Sequence, residues 1–422
     1  MPVQRTAILH IGPFKTGSTS IQYFLGKNDD RLMRQGVCFA RSPGRPNNVS
    51  LAVYALDDHR MTGLINRLQL QKKEDRDQYN EEFKASFNAE MRGLPDHTKR
   101  VIFSNEHCSG LIMEREIRAL RRLLDPYFSS FIIIAYLRRQ DRRIISDYTE
   151  KLRGGYTEHF DLIDYFPAEG LDYKKFLDRW ALVFGNSAII PRIFSKENFV
   201  NENLIDDFCA AAGIAPTAEF ERPAVHNTGL SHRAVMFLRS FNCHVPSYIN
   251  ETRNSAHVNL LQVLAKEFSG HGIELDRASA LHLLDRYEES NRQVSITYLN
   301  KNKNLFSNNL SSYSKTKPDE LSFNDGVEMA AYLWCEQCKI IEDHKEEIRK
   351  LTAILDRKFE QHSKNLKEVR IWAKEILCYD KTNDVYYPTL LDEFMKCYEE
   401  LLTLRERVND LLSATSKKQG TD

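Results

Sequence analysis

The chain has 422 residues, more than one domain usually holds, with 42% apolar and 28% charged side chains; this composition excludes a disordered chain and supplies ample material for a core. Lysine plus arginine total 59 and so do aspartate plus glutamate, so no global field draws the protein to nucleic acid or to an anionic membrane, and any anion site must be local. The opening MPVQRTAILHIG has no long apolar stretch behind a basic start, and the longest apolar run, Phe131 to Leu137, is too short to cross a bilayer; the expectation is a soluble cytoplasmic protein without a transmembrane segment.

Residues 6–11 (TAILHI) form a short apolar run, followed by a glycine-containing loop and the periodic TSIQYFL. That order reads strand, loop, helix. Helical spacing follows over Asp77 to Met91. Val101 to Phe103 is a second apolar run ending in the polar Ser104, Asn105, Glu106 and His107. Arg115 to Leu124 is again helical, and Phe131 to Leu137 is a third run ending in Arg138 and Arg139. The runs read as buried parallel strands, which need no polar alternation because both faces are covered. Asp141 to Leu152 has helical spacing, Ser187 to Ile193 is a fourth strand, and the helix Leu204 to Ala212 is closed by Gly213. Strands alternating with helices predict an α/β fold with a parallel sheet flanked by helices.

From about Asn300 to Gly326 the sequence turns to asparagine, serine and lysine, a composition that predicts a linker or exposed loop. Residues 327–377 then lack proline and glycine and carry Ile341, Ile348, Leu351, Leu355, Leu366, Val369, Ala373 and Ile376 on one stripe, as expected of one long helix or two. After Tyr379 to Asn383, Pro388 and Thr389 open another helix, with Asp392 three residues past the threonine as in a capping box. Its stripe is Leu391, Phe394, Tyr398, Leu401 and Val408. The expected organisation is a nucleotide-binding domain over 1–300, a linker over 301–326, and a helical hairpin or coiled-coil module over 327–422, whose simplest role is packing or homo-oligomerisation.

The eight cysteines show no disulfide framework. The single CxxC, Cys335 and Cys338, falls in a helical pattern with no second pair at zinc spacing, so two helix cysteines are expected there and no metal.

Chemistry concentrates in the first loop: Gly12, Pro13, Phe14, Lys15, Thr16, Gly17, Ser18 and Thr19, with Ser20 just inside the helix. Between a strand and a helix N-terminus, free backbone N–H groups and the helix dipole favour an anion. The pattern nearly matches the nucleotide-triphosphate loop GxxxxGK[ST], but the lysine lies inside the loop at position 15 instead of following Gly17. No convincing acidic partner for magnesium accompanies it, so a metal-free transfer fits better.

Phe14-Lys15-Thr16-Gly17-Ser18-Thr19 resembles the phosphosulfate loop Pro-Lys-Ser/Thr-Gly-Thr/Ser-Thr of the sulfotransferases that use 3'-phosphoadenosine 5'-phosphosulfate (PAPS), with phenylalanine in place of the proline. Arg138 at a strand end and Ser146 eight residues on match the pair that binds the 3'-phosphate in that family. A guanidinium offers paired donors to phosphate, and a hydroxyl two helical turns into the next helix can approach the same group. Roles for Arg142 and Arg143 do not follow from the resemblance. It covers roughly residues 5–215 and extends more loosely to about 300.

The resemblance implies that Lys15 is catalytic, that Lys15, Thr16, Gly17, Ser18, Thr19, Ser20, Arg138 and Ser146 hold PAPS as co-substrate, and that Glu106, or next His107, is the base. From the residues alone, helix capping by this polar cluster explains Glu106 and His107 as well. Arg192 and Ser195 resemble a later strand and loop of the family, and an ion pair explains them equally. The Arg-Lys-Gly segment of the cytosolic small-molecule branch is absent from the sequence; His226, Asn227 and Arg233 are the closest substitutes. The pattern is therefore closer to bacterial and carbohydrate sulfotransferases, and the implied acceptor is a glycan or other hydroxyl-bearing molecule, contacted by loops such as Arg41 to Asn48 and Gly154 to Phe160. Two alternatives stand beside it: a P-loop kinase using ATP, marked by a magnesium requirement, and a non-catalytic nucleotide-fold scaffold with a helical interaction module.

Overall fold

The structure is a computed structural model and describes residues 4–160, 170–223, 229–250, 252–270, 272–273, 275–311, 313–315 and 321–379. Its centre is a five-stranded parallel sheet built from β1 (Thr6–His10), β2 (Val37–Phe39), β3 (Arg100–Ser104), β4 (Ser130–Leu137) and β5 (Ile189–Ile193), in the order β2-β3-β1-β4-β5. β1 pairs Ala7 with Val101 on one side and with Phe131 on the other, so its end is flanked by the ends of β3 and β4.

The strands are apolar throughout because both faces are covered. Ala7, Leu9, Val101, Phe103, Ile133 and Ala135 turn to one face, where Phe87 and Trp180 pack. Ile8, Ile102, Ile134 and Tyr136 turn to the other, against Phe24 and Phe208. The helix Leu204–Ala212 has the bounds expected, set by the Asn203 side chain, which accepts from the N–H groups of Ile205 and Asp206, and by Gly213 in the left-handed conformation at φ 65°.

A third cluster joins Ile145, Tyr148 and Leu152 of the helix Gln140–Arg153 to Leu230, Val235, Leu264, Leu284 and Met329. The segment expected as a linker differs from that expectation. Leu305, Phe306 and Leu310 are buried, and Arg139 Nη1 donates to the carbonyls of Ser307 (3.0 Å) and Asn309 (3.1 Å). Three apolar side chains suffice to fasten a stretch that is otherwise polar. One compact unit runs to Leu333 and a second begins at Trp334.

A single helix spans Phe323–Tyr379, 57 residues long. The Ser322 side chain caps its start, accepting from Asp325 N–H at 3.1 Å. Trp334, Ile341, Ile348 and Leu355, seven residues apart, are exposed, as are Leu351 and Ile354. Cys335 and Cys338 are exposed free thiols. The side chains of Leu366, Val369, Ala373 and Ile376, and the second helix expected from Pro388, lie outside what is described. No helix of the described residues is long and apolar enough to cross a membrane.

Candidate functional site

At the C-terminal edge of the sheet, β1 runs into a loop held by its own side chains. Gly12 has φ 85°, Lys15 66° and Gly17 78°, and the left-handed turn at Lys15 is one that a non-glycine residue holds only under constraint. Two bonds supply it. Thr16 Oγ1 donates to the Pro13 carbonyl at 2.6 Å, and Arg138 Nη1, from the end of neighbouring β4, donates to the Lys15 carbonyl at 3.1 Å. Gly17 has no room for a side chain, since a Cβ there would lie 2.4 Å from Leu204 Cδ2.

The helix Ser18–Lys27 starts at this loop with Gly17 as its cap and no side-chain capping bond. The backbone N–H groups of Ser18 and Thr19, in the first turn of this helix, have no acceptor within it. A row of unsatisfied donors at a helix N-terminus is a cradle for an anion such as phosphate.

The Lys15 ammonium lies against the helix Gln140–Arg153, with Nζ 3.0 Å from Glu150 Oε2. Asp147 on that helix sits 3.5 Å from Arg143. Burial pushes its carboxyl above the usual range, opposed by Arg143, Lys15, Arg138 and Lys151. Burial also lowers the Arg138 pKa, and the guanidinium lies 5.7 Å from the Phe194 ring. Ser146 is half-buried on the same helix, whereas Thr19 is exposed.

On the other side of the loop stand Glu106 and His107, just past β3. A Cβ on Gly12 would lie 3.0 Å from Glu106 Cα, so the loop backbone passes directly over the glutamate. Both carboxylate oxygens are held by amides: Gln22 Nε2 donates to Oε2 and Asn47 Nδ2 to Oε1, each at 3.0 Å. His107 packs edge-on against Phe14 at 5.1 Å, and its Nε2 is 3.2 Å from Arg67 Nη2. Burial holds the His107 pKa below the ordinary value, with the Glu106 carboxylate opposing and Arg67 reinforcing the shift. Capping in this cluster belongs to Asn105, whose Oδ1 accepts from His107 N–H at 2.7 Å, which leaves the Glu106 side chain to the site.

The chain matches no family model. Over 130 residues it is 34% identical to an uncharacterized protein of Archaeoglobus fulgidus, a stretch that makes up 30% of this chain and 34% of that protein, about a third of the relative's length. A crystal structure of a sulfotransferase from Alicyclobacillus acidocaldarius is similar over 61% of this chain and 99% of its own, at 17% identity and a TM-score of 0.33.

The structure thus brings Lys15, the loop N–H groups, Arg138, Glu106 and His107 to one sheet edge. Other candidates fall elsewhere. Arg192 forms a two-pronged pair with buried Asp207, which also accepts from Tyr136 Oη at 2.9 Å; this is a structural ion pair. Ser195 accepts from Asn198 at 2.7 Å, and Arg233 pairs with Glu328 at 2.7 Å and Asp325 at 2.5 Å. His226 and Asn227 lie outside the described residues. Arg139 is bound to Asp141 at 2.8 Å and Arg142 lies 4.9 Å from the Tyr313 ring, so neither is a free cation. Sequence reasoning missed Gln22, Asn47, Asp147 and Glu150, which reach the site only through tertiary contacts.

Proposed function

We propose that the protein is a sulfotransferase that moves a sulfuryl group from PAPS to a hydroxyl on a carbohydrate. The observation that carries this reading is the contact between Arg138 and the Lys15 carbonyl, because it makes neighbours of the two cations that would grip a doubly phosphorylated nucleotide. The residues present fit such a donor: unsatisfied N–H groups for the 5'-phosphosulfate, and Arg138 with Ser146 for the 3'-phosphate.

In the proposed reaction Glu106, with His107 as the second candidate, takes the proton from the acceptor hydroxyl as its oxygen bonds to sulfur. The bond from sulfur to the 5'-phosphate oxygen breaks, and 3'-phosphoadenosine 5'-phosphate leaves. Lys15 neutralises charge on that leaving oxygen, while the N–H groups of residues 16–19 hold the oxyanions, each such donor contributing roughly 3 kcal/mol in comparable sites. Gln22 and Asn47 fix the orientation of Glu106, and Asn47 ties it to the loop 41–48, where an acceptor would be met.

The six cysteines described, Cys38, Cys108 and Cys209 buried and Cys243, Cys335 and Cys338 exposed, are free thiols, which suits a reducing cytoplasm. The long helix is proposed to join two copies. Its exposed stripe repeats every seven residues. Glu342, Asp343, Glu346 and Glu347, interrupted only by Lys345 among charged residues, precede Arg349, Lys350, Arg357 and Lys358, interrupted only by Asp356. Opposite charges therefore face one another when the two copies run antiparallel.

Calorimetric titration of the full chain with 3'-phosphoadenosine 5'-phosphate, followed by a screen of glycan acceptors with sulfur-labelled PAPS, tests the activity. Binding and label transfer are expected. An enzyme that instead turns over ATP in a magnesium-dependent reaction would refute the reading, and binding without any transfer would leave only a scaffold.

A further inference from the structure

A site for a polyanion that pairs its gripping cation with a carboxylate weakens its own ligand, because like charge repels. This one holds Glu150, whose Oε2 meets Lys15 Nζ at 3.0 Å. The helix Gln140–Arg153 turns Ser146, Asp147 and Glu150 toward the loop, and the partners divide: Asp147 pairs with Arg143 at 3.5 Å, and Glu150 takes Lys15. Both members of the Lys15–Glu150 pair are partly open to water, at 32% and 57% exposure, so solvent screens the bond and little is lost when it breaks.

We infer that Glu150 is a specificity-determining residue: a resident counter-ion that keeps the Lys15 ammonium until an anion anchored at several points displaces it. The inference rests on the reading of Lys15 as the donor's ammonium. An anion held by Lys15 alone exchanges one ion pair for another and gains nothing, while meeting the displaced carboxylate. A nucleotide that also engages the loop N–H groups and Arg138 gains bonds that Glu150 cannot offer. Glu150 thus weakens all anions at Lys15 but leaves bound only those with additional anchors. The adenosine bisphosphate end of PAPS, with two phosphates, engages the loop and Arg138 together, and a single inorganic phosphate does not.

Calorimetric titration of the full chain with 3'-phosphoadenosine 5'-phosphate and with inorganic phosphate, in wild type, Glu150→Gln, Lys15→Ala and the double variant, tests this. Glu150→Gln should tighten the nucleotide and phosphate alike, about threefold, in line with an exposed ion pair, and so let phosphate occupy the site at concentrations the wild type resists. In the Lys15→Ala background the same substitution should change neither affinity. Nucleotide binding that weakens in Lys15→Ala but is indifferent to Glu150→Gln overturns this inference alone. So does a Glu150→Gln effect that persists without Lys15, which would make the carboxylate a diffuse repulsive charge. Absence of nucleotide binding in both wild type and Glu150→Gln overturns the donor reading and this inference together.

Discussion

Arg138 Nη1 donates to the carbonyl of Lys15 at 3.1 Å, so the guanidinium at the end of β4 braces the loop that follows β1. Arg138 is thus a strut for a left-handed turn, and in the proposed function it is also a charge for the ligand. Lys15→Ala should lower sulfuryl transfer about a hundredfold or more without affecting thermal unfolding. Arg138→Ala should weaken 3'-phosphoadenosine 5'-phosphate at least tenfold, the value of a charge-assisted bond, and should also lower the melting temperature. Wild-type turnover in Lys15→Ala would contradict its role.

The base is separable from the donor site. Glu106→Gln keeps the shape but loses the proton acceptor, and should reduce turnover by roughly a hundredfold to ten-thousandfold with nucleotide affinity unchanged. If His107→Gln produced that loss instead, the roles would be exchanged. The acid limb of kcat/KM would then fall below the ordinary histidine value, because burial lowers the His107 pKa and a base with a lowered pKa stays active to lower pH.

Gly17 combines φ 78° with a neighbour that leaves a Cβ only 2.4 Å of space. Gly17→Ala must either push Leu204 aside or flatten the turn. The loop N–H groups lose their arrangement in both cases, so nucleotide binding should disappear while circular dichroism still reports a folded sheet.

His10 ends β1 fully buried, with Nδ1 2.9 Å from Ser104 Oγ, and burial lowers its pKa from 6.5 to about 4. The unfolded chain binds the proton more readily, so stability is complete above pH 6.5 and falls as pH drops toward 4, by about 3 kcal/mol in all. Urea unfolding across that window should show the slope in wild type and a flatter one in His10→Asn. Equal slopes would rule out the histidine as the cause.

The exposed stripe of the long helix gives a fifth test. Sedimentation of the full chain should show a dimer that Ile348→Glu with Leu351→Glu converts to monomer, two charges at an apolar seam being more than it tolerates. Oxidation should not link Cys335 to Cys335 across the dimer, since antiparallel copies carry these residues at opposite ends. A monomeric wild type, or an efficient cross-link at that position, contradicts the arrangement.

Four of the five strands were legible in the sequence because buried parallel strands are continuous apolar runs, and Val101 to Phe103 or Phe131 to Leu137 differ from the observed strands by one or two residues, while the three-residue edge strand Val37–Phe39 was too short to read. Gly213 likewise marked the end of one helix, whereas its Asn203 cap emerged only from the structure. Over 301–326 composition gave no sign of the burial of Leu305, Phe306 and Leu310, because polar residues outnumber them in the sequence. The residues around Glu106 and Lys15 had no local signal: Gln22, Asn47 and Glu150 meet their partners across 84, 59 and 135 positions respectively, and no periodicity encodes such separations.

The strand order also has a kinetic consequence during synthesis. β1 precedes its partners yet is the innermost strand, hydrogen-bonded to β3 and β4, so its apolar Ala-Ile-Leu core must wait for Arg100 to meet Thr6 on one side and for Ser130 to meet it on the other. Closing those long intervals is slow. The nascent chain therefore carries an unpaired, aggregation-prone strand directly ahead of the left-handed turn at Lys15. That turn gains its brace only once Arg138 has left the ribosome, so its shape cannot precede the translation of β4.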